Sequence, residues 1–516
     1  MARQKKEGRE AGISPAKRPN VILLVLDSLR ACNVNKDTMP FLTNNAPVQF
    51  STCYSPSTWT LPSYASIYTM DSPILHNVTK PENKLSNKLT ILPDIMREQG
   101  YETSLFSENP HFGMMHGLDR GIDFLDENID LKLYPSNTSF LEYGSMLGVV
   151  KNLPKLIAGK EVKENMANIL FGMFKYMQIQ RRERGSVKLR KMHNSHRILQ
   201  HINYYLNKSG NNKPKAVFTN FLNTHCPHMP SQKGQEALGI DFSPEELEAM
   251  SDFNIKAYLL DPDAKPPTTR SGKIVFKSWN ALFKKQLDAY KTQIWHLDTL
   301  IKMWMNELDP DIRDNSLIII TADHGELFGE ENRAGHNTSL HPYGIHIPFF
   351  MFPPKAWSQK NGKPQIIIEP VSLIGLSKAL RDLSKGKVAS TNDLVNIIID
   401  ESKIGPGHEV MVALNGCGWR GSDFLKKFDA ERIRKLIELR KLAIITNDRE
   451  DVYQCYWSES KITHTCYNLK NGTRIIVKED DDTTQLDMEL ENWLLGTSGK
   501  QDIKDTVKKL KFAGKI

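Results

Sequence analysis

Three nearly unbroken aliphatic runs, residues 20–27 (NVILLVLD), 216–222 (AVFTNFL) and 316–321 (SLIIIT), are each followed closely by polar groups. A short run without polar alternation predicts a central parallel strand covered on both faces. Between the runs, apolar residues recur at three and four over 92–99 and along 278–307, the spacing of amphipathic helices. Strands alternating with helices predict an α/β fold with a doubly wound, mostly parallel sheet and helices on both faces. Ligands of such sheets bind beyond the carboxyl ends of the strands, which gives Asp27, His225 and the pair Asp323-His324 their interest.

Elsewhere the pattern is less regular. Residues 131–207 read as largely helical, with a basic run at Arg181, Arg182 and Arg184, and are expected to form either an insertion over the sheet or a helical layer behind it. Residues 261–272, rich in Pro, Asp and Thr, predict an exposed loop. After about residue 405, short β-rich pieces at 442–446, 452–457 and 473–477 precede an acidic turn at 479–482 and a helix at 485–495. That texture predicts a smaller C-terminal α+β subdomain, 405–516, with an antiparallel sheet. The basic segment 1–18 reads as a flexible tail, which leaves 19–404 as the main domain.

Composition narrows the function classes. A net charge of +8 over 516 residues is too mild for a nucleic-acid binder. No window approaches the roughly 18 consecutive apolar residues of a spanning helix. The six cysteines are scattered without a close Cys-x-x-Cys pair, so neither a zinc knuckle nor a disulfide framework is expected. The basic N-terminal segment lacks the apolar run of a secretory signal, and the cytoplasm is therefore the expected compartment. The basic run beside an amphipathic stretch in 131–207 permits peripheral membrane contact.

The most specific chemical pattern is Thr321-Ala322-Asp323-His324-Gly325-Glu326, directly after an aliphatic run. A carboxylate and an imidazole on adjacent residues can share one divalent ion where a strand has ended, and Gly325 is expected to permit the turn. Thr60 precedes Pro62 and an apolar stretch, which places its hydroxyl at the positive end of a helix dipole, a position that favours an alkoxide and an anionic substrate. The plainer reading of Thr60 is a helix cap.

Taken together, PNVILLVLDSLR, WTLPSYASIYT, GYETSLFSENP, NTHCPHMP, TADHGELFGE, GHNTSLHPYGIHIPFF and the closing THTCYNLKNG resemble the ordered blocks of sulfatase-like enzymes of the alkaline phosphatase superfamily. The resemblance implies a metal-dependent catalytic domain over 19–404. Thr60 falls where formylglycine sulfatases carry the Cys or Ser of Cys/Ser-x-Pro-x-Arg, with Pro62 in place and Tyr64 where the Arg would stand. Thr cannot be matured to formylglycine. Ser28 stands where two-acid members have a second Asp, which implies a single-ion site of Asp27, Thr60, Asp323 and His324. That set is similar to lipoteichoic acid synthases and phosphoethanolamine transferases, which use a Thr nucleophile and one ion; Mn, Mg, Zn and Ca are not distinguished.

By the same resemblance His225 and His336 are expected to bind or protonate ester oxygens, and Asn109 to donate to a substrate anion. The implied reaction is cleavage of a phosphate ester, monoester or diester, through a covalent Thr60 intermediate, with a lipid- or glycan-linked anionic ester as substrate. A sulfatase on the same scaffold is the alternative, and a non-catalytic anion-binding protein is the alternative of another class.

Overall fold

The computed structural model describes residues 18–79, 83–107, 109, 116–127, 195–208, 213–251, 265–269, 271–336, 340–357 and 364–403, together with five strands between 410 and 475. The central sheet has the strand order β10-β2-β9-β6-β1-β5-β3-β4, with β11 also paired to β2. In chain order its strands are β1 (Asn20–Val25), β2 (Val48–Tyr54), β3 (Glu102–Ser107), β4 (Phe124–Glu127), β5 (Lys215–Asn220), β6 (Ser316–Thr321), β9 (His346–Phe352), β10 (Gln365–Ile367) and β11 (Val371–Ser372). A two-stranded ribbon of β7 (Leu327–Phe328) and β8 (Ala334–Gly335) stands apart.

The three aliphatic runs become β1, β5 and β6, side by side and parallel in the middle of the sheet. Val21 to Val25 are each at most 1% exposed, so burial of each side chain stabilises the fold by about 1.5 to 3 kcal/mol. Only β9 runs against its neighbours β2 and β6 among the paired strands of this sheet. Its amino end therefore lies at the edge where the parallel strands present their carboxyl ends. The sheet is mixed and mostly parallel, as the pattern predicts.

Helices cover both faces. Phe218 of β5 pairs with Leu105 of β3, so the next residue, Phe106, points to the opposite face. Phe218 meets Tyr68 of the helix Thr60–Thr69 edge-on, whereas Phe106 meets Tyr205 of the helix Ser195–Lys208. Residues 195–207 of the expected insertion thus belong to a helical layer against the sheet. Packed against the helix Ser195–Lys208, the long helix Trp279–Glu307 begins at Ser278, whose side chain accepts from the Ala281 amide. Among the described residues no helix is long and apolar enough to cross a membrane.

Arg18, counted with the tail from sequence, is buried: its guanidinium donates to the Ser384 carbonyl and lies 5.8 Å from the Tyr101 ring centroid. Five antiparallel strands, β12 (Val410–Leu414), β13 (Arg440–Ile445), β14 (Asp451–Ser458), β15 (Lys461–Asn468) and β16 (Arg474–Ile475), form a second sheet in that order. The β-rich pieces at 442–446, 452–457 and 473–477 fall on β13, β14 and β16. Segments 1–17, 131–194, 261–264, 479–482 and 485–495 lie outside the described residues.

Candidate active site

Parallel strands deliver their trailing residues to one edge, and the polar cluster forms there. Asp27 follows β1, Asn220 ends β5, Asp323 and His324 follow β6, and Asn109 follows β3. Thr60 opens its helix after the extended residue Trp59, so its hydroxyl sits in the first turn as the sequence predicts. Ligand atoms of Asp27, Asp323 and His324 lie within 4.8 Å of one another, and all three residues are fully buried. Thr60 Oγ1 is 3.3 Å from Asp27 Oδ2 and 3.3 Å from His324 Nε2.

The surroundings hold these groups firmly. Asp27 Oδ2 accepts from Asn109 Nδ2 at 3.0 Å and Asn220 Nδ2 at 3.1 Å, while Ser28 Oγ donates to Oδ1 at 2.9 Å. Ser28 adopts a left-handed φ of 65°, a strained choice for a residue other than Gly. That turn aims the Ser28 amide at Asp323 Oδ1, 3.2 Å away. Its carbonyl accepts from the Tyr290 hydroxyl at 2.8 Å, and the same oxygen of Tyr290 accepts from the Arg30 amide at 2.8 Å.

Gly325 corrects one expectation. Its φ is not positive, so turning freedom is not what the position needs. A Cβ there would stand 1.9 Å from the Tyr343 carbonyl oxygen, and the Gly325 amide donates to the Gly344 carbonyl at 2.9 Å. Close approach of two backbones is the requirement.

The electrostatics suit a cation. Burial alone would raise the Asp27 carboxyl, but His225, His324, His336 and the Asn220 amide pull it down to about 2. Asp323 is pushed well above the carboxylate range by burial and by the Asp27 charge beside it. Two carboxylates this close cannot both be charged without a positive partner, and a divalent ion would replace the proton that Asp323 otherwise keeps. Asp323 Oδ2 and Asn220 Oδ1 are buried and lack a hydrogen-bond partner, which leaves acceptor oxygens for such an ion. Two carboxylates, an imidazole and a hydroxyl form an oxygen-rich donor set with one nitrogen, so these residues fit a divalent metal.

Beside this cluster stand His225 and His336, both half-buried. The His336 ring centroid is 4.7 Å from that of His324 and 4.9 Å from that of His225. Burial lowers His225, but attraction to negative charge on Cys226 and Asp27 outweighs it and raises it well above the usual histidine value. Glu326, fully buried, approaches His336 Nδ1 at 3.3 Å and His228 Nε2 at 3.7 Å. Burial would raise Glu326, but His336 and His228 hold it below its ordinary value.

The structure thus gathers Asp27, Thr60, Asp323, His324 and Asn109 directly and brings His225 and His336 alongside. Asn109 enters through its bond to Asp27. Sequence reasoning assigned no role to Asn220 or Glu326. Asn220 lay inside the run at 216–222 and becomes the last residue of its strand only in the structure, whereas the pairing of Glu326 with His336 depends on the β7–β8 ribbon folding back.

Comparison with known proteins agrees with this architecture. The Sulfatase family model matches residues 19–385. Among solved structures, the phosphonate monoester hydrolase of Agrobacterium radiobacter superposes with a TM-score of 0.59 at 16% identity, covering 93% of this chain and 95% of that one. The phosphonate monoester hydrolase from Silicibacter pomeroyi gives 0.58 at 14%, covering 93% and 94%. A structure solved in complex with its substrate D-glucosamine-2-N,6-O-disulfate gives 0.58 at 14%, covering 95% and 99%. A search of curated proteins finds no match. With the family match spanning most of the chain and the sheet carrying the expected polar edge, the protein belongs to the sulfatase family, hydrolases of the alkaline phosphatase superfamily.

Proposed function

We propose that this chain cleaves a phosphate ester by attack of Thr60, at a centre where Asp27, Thr60, Asp323 and His324 hold one divalent ion. The observation that carries this reading is the Thr60 hydroxyl, 3.3 Å from both Asp27 Oδ2 and His324 Nε2 at the first turn of its helix. A bound ion would supply positive charge that makes the hydroxyl more acidic and the ester more electrophilic. Asp27, the ionised member of the carboxylate pair, accepts the hydroxyl hydrogen and orients the oxygen for attack. The opening turn of the helix favours negative charge developing on that oxygen. His225 supplies a proton to the leaving oxygen, and His336, oriented by Glu326, faces the ester oxygens. Water or an acceptor alcohol then resolves the Thr60 ester.

Phosphorus is favoured over sulfur by two positions. Thr60 cannot become a formylglycine. Tyr64, standing where formylglycine enzymes have Arg, donates its hydroxyl to the Thr219 carbonyl at 2.9 Å and is therefore turned into the sheet. The second reading, a sulfate ester, is favoured by the family match, and the disulfated glucosamine named for one structural neighbour supports a glycan-linked anionic substrate. Parallel assays with p-nitrophenyl phosphate, bis-p-nitrophenyl phosphate and p-nitrophenyl sulfate test the ranking. Turnover of the sulfate alone overturns it. A metal-free protein whose Thr60→Ala variant behaves as wild type returns the chain to an anion-binding role.

A further inference from the structure

Polar side chains around the start of the Thr60 helix are of two kinds. Ser55 and Ser63 are satisfied: their hydroxyl oxygens lie 3.0 Å apart, and Ser55 Oγ is also 2.6 Å from the Ser57 carbonyl oxygen. Ser57 Oγ, Thr58 Oγ1 and Trp59 Nε1, on three consecutive residues, are buried without a hydrogen-bond partner. An unpaired buried donor destabilises the protein that carries it, so each calls for a reason. Direction singles out Thr58, which is 1% exposed. Trp59 is extended, with φ −160° and ψ 162°, and an extended residue turns the side chains before and after it to the same side. Thr58 therefore shares the side on which the Thr60 hydroxyl meets Asp27 and His324, while Trp59 faces the other way. At this edge the unpaired acceptors Asp323 Oδ2 and Asn220 Oδ1 suit a cation, and an unpaired hydroxyl hydrogen suits the opposite charge. The opening turn of the ten-residue helix beside it favours that same charge.

We propose that the Thr58 hydroxyl is a substrate-binding group, donating to a non-bridging oxygen of the ester that Thr60 attacks. The inference rests on the phosphate-ester reading and deepens it, adding an anion-binding residue outside the metal ligands and the histidines. The unpaired state of Thr58 in the free protein is then the prepared form of the contact. Its hydroxyl has already lost water, and the β-branched side chain is restricted in its rotamers, so neither has to be arranged when the ester arrives. The unpaired hydroxyl destabilises the free protein, and a bound anion relieves it. Valine in its place keeps the branched shape and removes only the hydrogen-bonding group, which separates recognition from packing.

Inorganic phosphate is the probe, titrated calorimetrically into the full-length, metal-loaded protein. Thr58→Val is expected to weaken phosphate binding about 10- to 100-fold, the scale of one hydrogen bond to a charged group. Thr58→Ser, which keeps the hydroxyl, should recover most of the affinity. Without phosphate, Thr58→Val should melt at or above the wild-type temperature, because it sheds an unpaired buried group; with phosphate, wild type should gain more than the variant. Phosphate affinity unchanged in Thr58→Val overturns the proposal, as does wild-type protein that binds no phosphate. A phosphate-free Thr58→Val that melts well below wild type also overturns it, since the hydroxyl then holds the fold and is not waiting for a ligand. Failure of the Thr60 reading is visible separately, as unchanged phosphate-ester turnover in Thr60→Ala, and leaves the phosphate titration to decide the role of Thr58.

Discussion

Thr60 and His324 are 264 positions apart in sequence, and the Thr60 hydroxyl oxygen lies 3.3 Å from the His324 Nε2. Their meeting depends on β2, β6 and the helix Thr60–Thr69 all opening onto one sheet edge. Replacing Thr60 with Ala is expected to lower turnover of p-nitrophenyl phosphate on the order of 10^4-fold or more, the scale of losing a nucleophile. Thr60→Ser keeps the oxygen and should retain far more activity. Equal loss in both variants excludes the hydroxyl as the attacking group.

Asp323 tests the cation argument without any substrate. In chelator, Asp323→Asn relieves two carboxylates forced together in a buried place, so the variant should unfold at a higher temperature than wild type, a gain on the order of 1 to 3 kcal/mol. Adding divalent metal at about a hundred times its Kd should stabilise wild type by about 2.7 kcal/mol and the variant hardly at all. Scanning calorimetry with and without metal reads both. A variant less stable than wild type in chelator contradicts the crowding of Asp27 and Asp323.

Gly325→Ala places a methyl group against the Tyr343 carbonyl oxygen, with 1.9 Å available. Backbone must move, and the loop carrying Asp323 and His324 moves with it. Metal affinity should drop at least about 10-fold, the scale seen when the supports of a metal ligand are lost, and isothermal titration calorimetry measures it. Wild-type affinity in this variant shows that the loop has slack.

His76 supplies a pH dependence away from the site. Its Nδ1 accepts from the Val78 amide at 3.0 Å and its Nε2 lies 2.9 Å from Ser66 Oγ, so the ring is held neutral. Burial pulls its pKa from 6.5 to about 3. A folded pKa below the unfolded one means that the stability this ring lends is complete above about pH 6.5 and drains away as pH falls towards 3. The slope for one such group is about 1.4 kcal/mol per pH unit. Urea denaturation of wild type and His76→Gln between pH 7 and 5 should show a shallower decline for the variant; parallel declines remove His76 as the cause.

Arg30 is buried, 3.0 Å from Glu330 and with its guanidinium 4.1 Å from the Tyr343 ring centroid. It ties the exit from β1 to the loop after β6. Arg30→Ala should cost about 1 to 3 kcal/mol, less than a fully buried pair because Glu330 keeps some contact with solvent. Arg30→Lys recovers little, since the ammonium cannot stack its face on Tyr343. Denaturant midpoints decide between them.

Much of this was legible before any coordinates. Aliphatic runs such as SLIIIT admit little except a buried strand, and acids at their ends fall on the sheet's polar edge by the geometry of parallel strands. Thr60 was legible from Pro62 and the apolar helix that follows. What sequence could not show arises from contacts without periodicity. The left-handed turn at Ser28 is held by Tyr290 from a helix far along the chain, and β12 lacked any local signal strong enough to be singled out. Gly325 was found for the wrong reason, because a close carbonyl and a turn leave the same residue behind.

The reversed course of β9 has a last consequence. The chain departs from the sheet after Thr321 and rejoins it at His346 along the same rim, so Asp323, His324, Glu326, Glu330, His336 and Tyr343 all ride on one excursion with both feet planted together. Such a cassette can lengthen, shorten or exchange residues without rerouting any strand. New substrate preferences could thus be written into it while the underlying framework stays as it is.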